Sequence, residues 1–257
     1  MTDVDLGAIK QKIGSPQIED YRLKMVVYGD PGTGKTTFAA TAQHHKDTKD
    51  VLFLDINKGL LSVAEESELI HETPDAIEID KYSEVGEVYE FLAKGDHDYN
   101  TVVIDTFTDL QELNLEAIVQ EELDQASSRG KKRDGLDDRW REDYGTSTSQ
   151  LTRLARNFRD LPMHVIFLAH KRTDQDDQKR ETVSPAITPK LQENVIGAVD
   201  LCGYFYVSQD EENGDTFTAL WAPHDKWIAK DRTPGMKLGG TMPNPTVPKC
   251  LDKIRGG

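Results

Sequence analysis

Lys35, Thr36 and Thr37 close the run Gly29-Asp30-Pro31-Gly32-Thr33-Gly34, and this spacing is suited to gripping phosphate. Gly29, four intervening residues and then Gly34-Lys35-Thr36 let successive backbone N–H groups converge on one concavity at the start of a helix, where the dipole favours an anion. Lys35 adds a mobile charge for the β and γ phosphates, and Thr36 offers a hydroxyl to magnesium. Gly32 and Gly34 permit backbone angles and close approach that a side chain forbids. A flexible glycine turn would explain the glycines, but not the lysine-threonine pair. The expected ligands of Gly29, Asp30, Pro31, Gly32, Thr33, Gly34, Lys35, Thr36 and Thr37 are ATP and Mg2+.

Asp105 ends the apolar run "TVVID". A carboxylate at the C-terminal edge of an open α/β sheet lies where such folds bind ligands, and with Thr36 it can hold magnesium. Aspartate is also a good helix N-cap, so it is the phosphate loop upstream that makes Asp105 a metal ligand. Thr106 follows it, so the adjacent carboxylate pair that supplies a base in AAA+ ATPases is absent. Hydrolysis needs a group to orient and deprotonate water. Two further strand ends offer one: Asp55 with Asn57 after "VLFLDI", and His170 after "HVIFLA". Asp55 could serve as the base, Asn57 could only orient water, and His170 could sense the γ-phosphate by hydrogen bonding. The structural alternatives are a loop or capping role for His170 and a purely structural Asp55.

These residues need strand ends to hold them. Apolar β-rich runs at Met25–Tyr28, Val51–Ile56, Thr101–Asp105 and His164–His170 alternate with longer helical or polar segments, and a helix is expected from Thr36 to Ala42. That grammar predicts an α/β fold, a mainly parallel sheet flanked by helices. After it, "AVDLCGYFYVSQ", "DTFTALWAP" and "KWIAKDR" follow in quick succession, which predicts antiparallel strands added toward the C-terminus. Residues 1–20 read as an N-terminal arm with apolar Val4, Leu6, Ile9 and Ile13, residues 21–234 as the main domain, and residues 235–257 as a Gly/Pro-rich tail.

The 257 residues carry a formal charge of -15, which disfavours a nonspecific coat on duplex DNA, so nucleic acid would have to be met by local basic segments. Cys202 and Cys250 have no metal spacing and no leader precedes them, which makes a reducing cytoplasm the expected location. No apolar run approaches membrane-spanning length, so no membrane partner is expected.

The order of phosphate loop, acidic strand end, Asp105, helix, basic loop, helix, polar-ended strand, polar loop and late strands ending in "WIAKDR" resembles the RecA-like ATPase core from about Tyr21 to Pro234. It is most similar to the core-only, phage-encoded RecA-like proteins known as phage nucleotide-binding proteins or single-strand annealing recombinases. The resemblance implies a homo-oligomer, ring or filament, with loops 127–143 and 171–185 facing single-stranded DNA, and allows a single-strand-binding protein as a further partner. The first loop carries Arg129, Lys131, Lys132, Arg133, Arg139 and Arg141 around Trp140; the second carries Lys171, Arg172, Lys179 and Arg180. Cation and aromatic mixtures suit single strands, although acidic neighbours such as Asp137 and Asp176 favour a solvated surface and a tryptophan before a helix is commonly a packing anchor. Lys230 and Arg232 match basic residues that reach a neighbour's γ-phosphate and stabilise charge as the phosphoryl group leaves; the alternative is a surface ion pair. Asn57 stands where such ATPases commonly carry a glutamate, which implies slow hydrolysis or Asp55 in the glutamate's place. A helicase-like or packaging ring motor, a P-loop small-molecule kinase and a nucleotide-gated binder with negligible turnover share the same motifs.

Overall fold

In the computed structural model, each central strand is apolar on both faces, and this is what forces helices onto both sides of the sheet. The structure describes residues 14, 17–60, 70, 72–125, 135–210 and 214–256. The apolar positions of the arm and Arg129, Lys131, Lys132 and Arg133 of the first loop lie outside the described residues. The strands are β1 (Lys24–Gly29), β2 (Val51–Asp55), β3 (Asp75–Glu78), β4 (Thr101–Asp105), β5 (His164–Gln175), β6 (Glu181–Pro185), β7 (Leu201–Asp210), β8 (Gly214–Leu220), β9 (Lys230–Asp231) and β10 (Thr241–Pro243). The helices are α1 (Lys35–Ala40), α2 (Tyr82–Lys94), α3 (Phe107–Gln125), α4 (Arg141–Asp160), α5 (Pro189–Ala198) and α6 (Val247–Arg255).

Among the described residues the sheet order is β10-β8-β7-β1-β5-β4-β2-β3, with β6 paired to β5 and β9 to β7. The run from β7 to β3 is parallel, and β6, β8, β9 and β10 pair antiparallel. The expected mixed α/β fold is therefore present. Alternation along β1 sends Val26 and Tyr28 into one core with residues of α2, α3, α4 and α5, and Met25 and Val27 into the other with residues of α1 and α6.

Several local expectations change. The first late strand, β7, is parallel to β1 and belongs to the central sheet, because Leu201–Phe205 pairs with Met25–Gly29 before the chain turns back through β8. The helix after the phosphate loop is α-helical only to Ala40 and continues as a 3₁₀ turn, Thr41–His44; Thr41 Oγ1 donates to the Phe38 carbonyl and accepts the Val247 N–H. Residues 171–185 are a β-ribbon made by the outer half of β5 and β6, closed by Asp176, which accepts the N–H groups of Gln178 and Arg180 and the Arg180 guanidinium. The segment read as a tail forms β10 and α6, and Val247, Cys250, Leu251 and Ile254 are buried in the second core. Among the described residues no helix is long and apolar enough to cross a membrane.

Candidate active site

The phosphate loop leaves the end of β1 and turns into α1. A Cβ on Gly29 would lie 2.3 Å from the Phe205 carbonyl oxygen, so β7 can approach this closely only past a glycine. Gly34 takes φ +80, a left-handed backbone at the N-cap of α1. Lys35 is buried and its Nζ donates to the carbonyls of Gly29 and Asp30 at 3.1 and 2.8 Å. Burial pulls its pKa below the ordinary lysine value, against the opposing charges of Asp105 and Asp30. Thr33 Oγ1 donates to the Asp30 carbonyl and stiffens the bend.

Thr36 Oγ1 donates to Asp105 Oδ2 at 2.8 Å, which joins the two residues expected to hold magnesium. Asp105 is almost wholly buried, and burial raises its pKa; the Asp55 and Asp109 charges push the same way, while Thr36 and Lys35 oppose. Asp55 is the register partner of Asp105 on β2. Both its carboxylate oxygens are taken by its own chain, Oδ1 by Gly59 N–H at 3.0 Å and Oδ2 by Leu60 N–H at 3.2 Å. Asn57 likewise accepts from Gly59 N–H at 2.9 Å. Both side chains therefore hold the turn after β2.

β5 lies between β1 and β4, so its end falls between the phosphate loop and Asp105, with His170 in register with Gly29. His170 Nε2 is 3.5 Å from Asp109 Oδ2, and this contact, ahead of the Thr106 hydroxyl, lowers the Asp109 pKa. Asp109 also accepts from Thr106 Oγ1, while Thr106 Oγ1 accepts the Asp109 N–H. The next residue on β5, Lys171, places Nζ 2.6 Å from Asp30 Oδ2 and ties the ribbon to the phosphate loop. Sequence reading missed Asp109, although the Thr106-x-x-Asp109 spacing before an apolar helix is a capping signal. It also missed Phe217. This ring on β8 is 45% exposed and stands beside Gly34, its Cδ1 3.4 Å from where a Cβ there would be.

Other expected residues lie elsewhere. β9 pairs with Leu201 and Cys202 at the start of β7, the opposite edge of the sheet from the phosphate loop. There Lys230 Nζ donates to the carbonyls of Ile196 and Val199 at 2.6 Å each, capping α5, and Arg232 Nη2 is 3.3 Å from Asp200. On the ribbon, Arg172 holds Asp174 and the Ile187 carbonyl, and Arg180 holds Asp176. Arg139 is bound to Glu112, and the Trp140 indole N–H donates to Asp138 while its backbone N–H donates to Asp143.

A family model described as an AAA domain matches residues 21–233. The chain belongs to this AAA-domain family. It is a P-loop ATPase, and its Asp105 is followed by Thr106, which caps α3 through Asp109. Among solved structures the chain is similar to a prototypical ATPase from the type III secretion system of pathogenic bacteria, at 12% identity and a TM-score of 0.39. That likeness covers 74% of this chain and 52% of the other, so this AAA-domain protein spans about half the length of that structure. No relative is found among curated proteins.

Proposed function

We propose that this P-loop ATPase acts on single-stranded DNA as a homo-oligomer, in recombination-type annealing or strand exchange, with nucleotide state passed to DNA-facing segments through β5. The observation that carries the reading is the continuity of β5. One strand presents His170 beside Gly29, fastens Lys171 to Asp30 of the phosphate loop, and runs on as the outer ribbon.

The residues fit ATP and magnesium. Thr36 and Asp105 offer hard oxygens already held together, the donor chemistry magnesium requires. Bound there, the ion would neutralise charge on the β and γ phosphates. Lys35 has its ammonium inside the loop, and exchanging its carbonyl partners for phosphate oxygens would keep it hydrogen-bonded. His170 and Asp109, 3.5 Å apart, are the polar pair that would face the γ-phosphate, with Asp109 holding the imidazole. Asp55 and Asn57 are committed to their own turn, which supports slow turnover. Arg232, whose side chain is 61% exposed, is the candidate for the trans contact to a neighbour's phosphate; Lys230 is held on α5.

The test is phosphate release with and without oligothymidylate. Release that rises with DNA and vanishes in Lys35→Ala supports the reading. Turnover indifferent to DNA, from protein that binds ATP normally, overturns it.

A further inference from the structure

The cations that the segments 135–143 and 171–185 offer are largely spent inside the chain. Lys171, Arg172, Arg180 and Arg139 each hold a carboxylate. Two arginines of α4 are not. Arg153 and Arg156 are exposed on the solvent side of this helix, and neither has an ion pair or hydrogen bond among the described residues. Leu151, Leu154, Ala155 and Phe158 turn the opposite side of α4 into the core, which fixes the direction in which the arginines project.

These arginines border a shallow groove of about 650 Å³ that continues to Asn194 of α5. Asn194 Nδ2 donates to Thr152 Oγ1 at 3.0 Å and holds the two helices in register there. Thr148, Ser149 and Asn157 add hydroxyl and amide donors beside the guanidinium groups, and the one lining carboxylate, Asp160, sits at the end of the groove with Arg159. Arg159 is partly neutralised by Asp160, 2.7 Å away, at one end. From Tyr144 to Arg159 no residue is acidic, in a chain with 46 acidic residues and a formal charge of -15. A surface so poor in apolar and aromatic groups lacks the anchors of a protein interface. Guanidinium forks with hydroxyl and amide donors are instead the groups that contact phosphate and sugar without reading bases.

We propose that the groove between α4 and α5, with Arg153 and Arg156 at its centre, binds the phosphate backbone of single-stranded nucleic acid. The inference rests on the reading that this ATPase acts on single strands, and it moves the principal electrostatic contact from the 171–185 segment to the helical face.

Salt dependence tests it. Each phosphate neutralised on a single strand adds about 0.7 to the magnitude of the slope of log K against log salt, so removing two cations flattens that slope by about 1.4. Between 50 and 200 mM salt the full-length protein is then expected to lose about sevenfold more affinity for fluorescein-labelled oligothymidylate than the Arg153→Gln/Arg156→Gln variant does. The Arg153→Lys/Arg156→Lys variant keeps both charges and is expected to retain the original slope; a glutamine-like slope there would mean that helix packing, not charge, was lost and would overturn the proposal. If wild type binds and the glutamine variant has the same slope, the groove takes no strand while the single-strand reading stands. If wild type binds no oligonucleotide with or without an ATP analogue, both fall.

Discussion

Asp105 answers two opposed demands. Its burial raises the cost of the charged form, and Thr36 and Lys35 offset that cost only in part. A divalent ion would complete the offset, so Asp105→Asn is expected to abolish magnesium-dependent hydrolysis while nucleotide binding in EDTA survives, as read by fluorescent-nucleotide titration. With the γ-phosphate facing Asp105 and His170 on β4 and β5, as proposed, the nucleobase would extend to the other side of β1, where β7 and β8 place Phe217 against Gly34. Stacking of a base on an aromatic ring is worth about 1–3 kcal/mol, so Phe217→Ala should weaken ATP about 5- to 150-fold and leave inorganic triphosphate unaffected. Equal losses for both ligands would place the ring's role in the loop rather than the base. The glycine and lysine pattern was readable because a phosphate cradle requires those residue types at fixed separations. Phe217 was not, because its place beside Gly34 comes from β7 lying against β1, far away in sequence.

Among the elements, helix ends decide what Lys24 and Lys230 hold. The sheet's N-terminal edge meets the C-terminal ends of α4 and α5, where carbonyls at and just beyond the helix ends lack helical partners and attract cations. Lys24 serves Leu161 and Met163, and Lys230 serves Ile196 and Val199. Lys230→Met is therefore expected to cost stability, about 1–2 kcal/mol, seen as a lower denaturant midpoint. Arg232→Ala is expected to leave that midpoint in place and reduce turnover only at protein concentrations that support assembly. The reverse pattern would make Lys230 the trans group. Arg232 lies beyond β9, and a strand of two residues beside a helix end is governed by what the helix needs. In the 171–185 segment, the acidic residues that argued for plain solvent exposure turn out to build the turn, since Asp176 ties the ribbon closed.

For the whole molecule, the C-terminal segment and a buried histidine set the limits of stability. Leu251 of α6 is fully buried in the core beneath the phosphate loop helix, so Leu251→Ala should cost about 2–5 kcal/mol, a loss that an independent tail would not show. His164 accepts the Leu23 N–H at Nδ1, and burial, with the charges of Arg22, Lys24 and Arg255, pushes its pKa down to about 3 from 6.5. Below pH 6.5 the unfolded chain binds a proton that the folded one refuses, so this contribution to stability is complete above 6.5 and is lost as pH falls toward 3. The melting temperature should drop between pH 7 and pH 5, and less steeply in His164→Asn, which keeps an acceptor for Leu23 but cannot titrate there.

By itself the sequence determined the phosphate loop, the four central strands and the side of the sheet on which chemistry occurs. Those follow from local rules: glycine where backbone must bend or approach, apolar runs where both faces are buried, polar residues at strand ends. It also held the caps of α6, Thr246 before and Gly256 after, though among so many glycines and prolines they read as a tail. Tertiary structure alone decided that β7 is parallel, that His170 meets Asp109, that Lys230 caps a helix and that α4 and α5 leave unpaired arginines along one groove. Each depends on which distant strand or helix lies alongside, and a charged side chain takes whatever partner packing brings within reach, a choice that no spacing along the chain records.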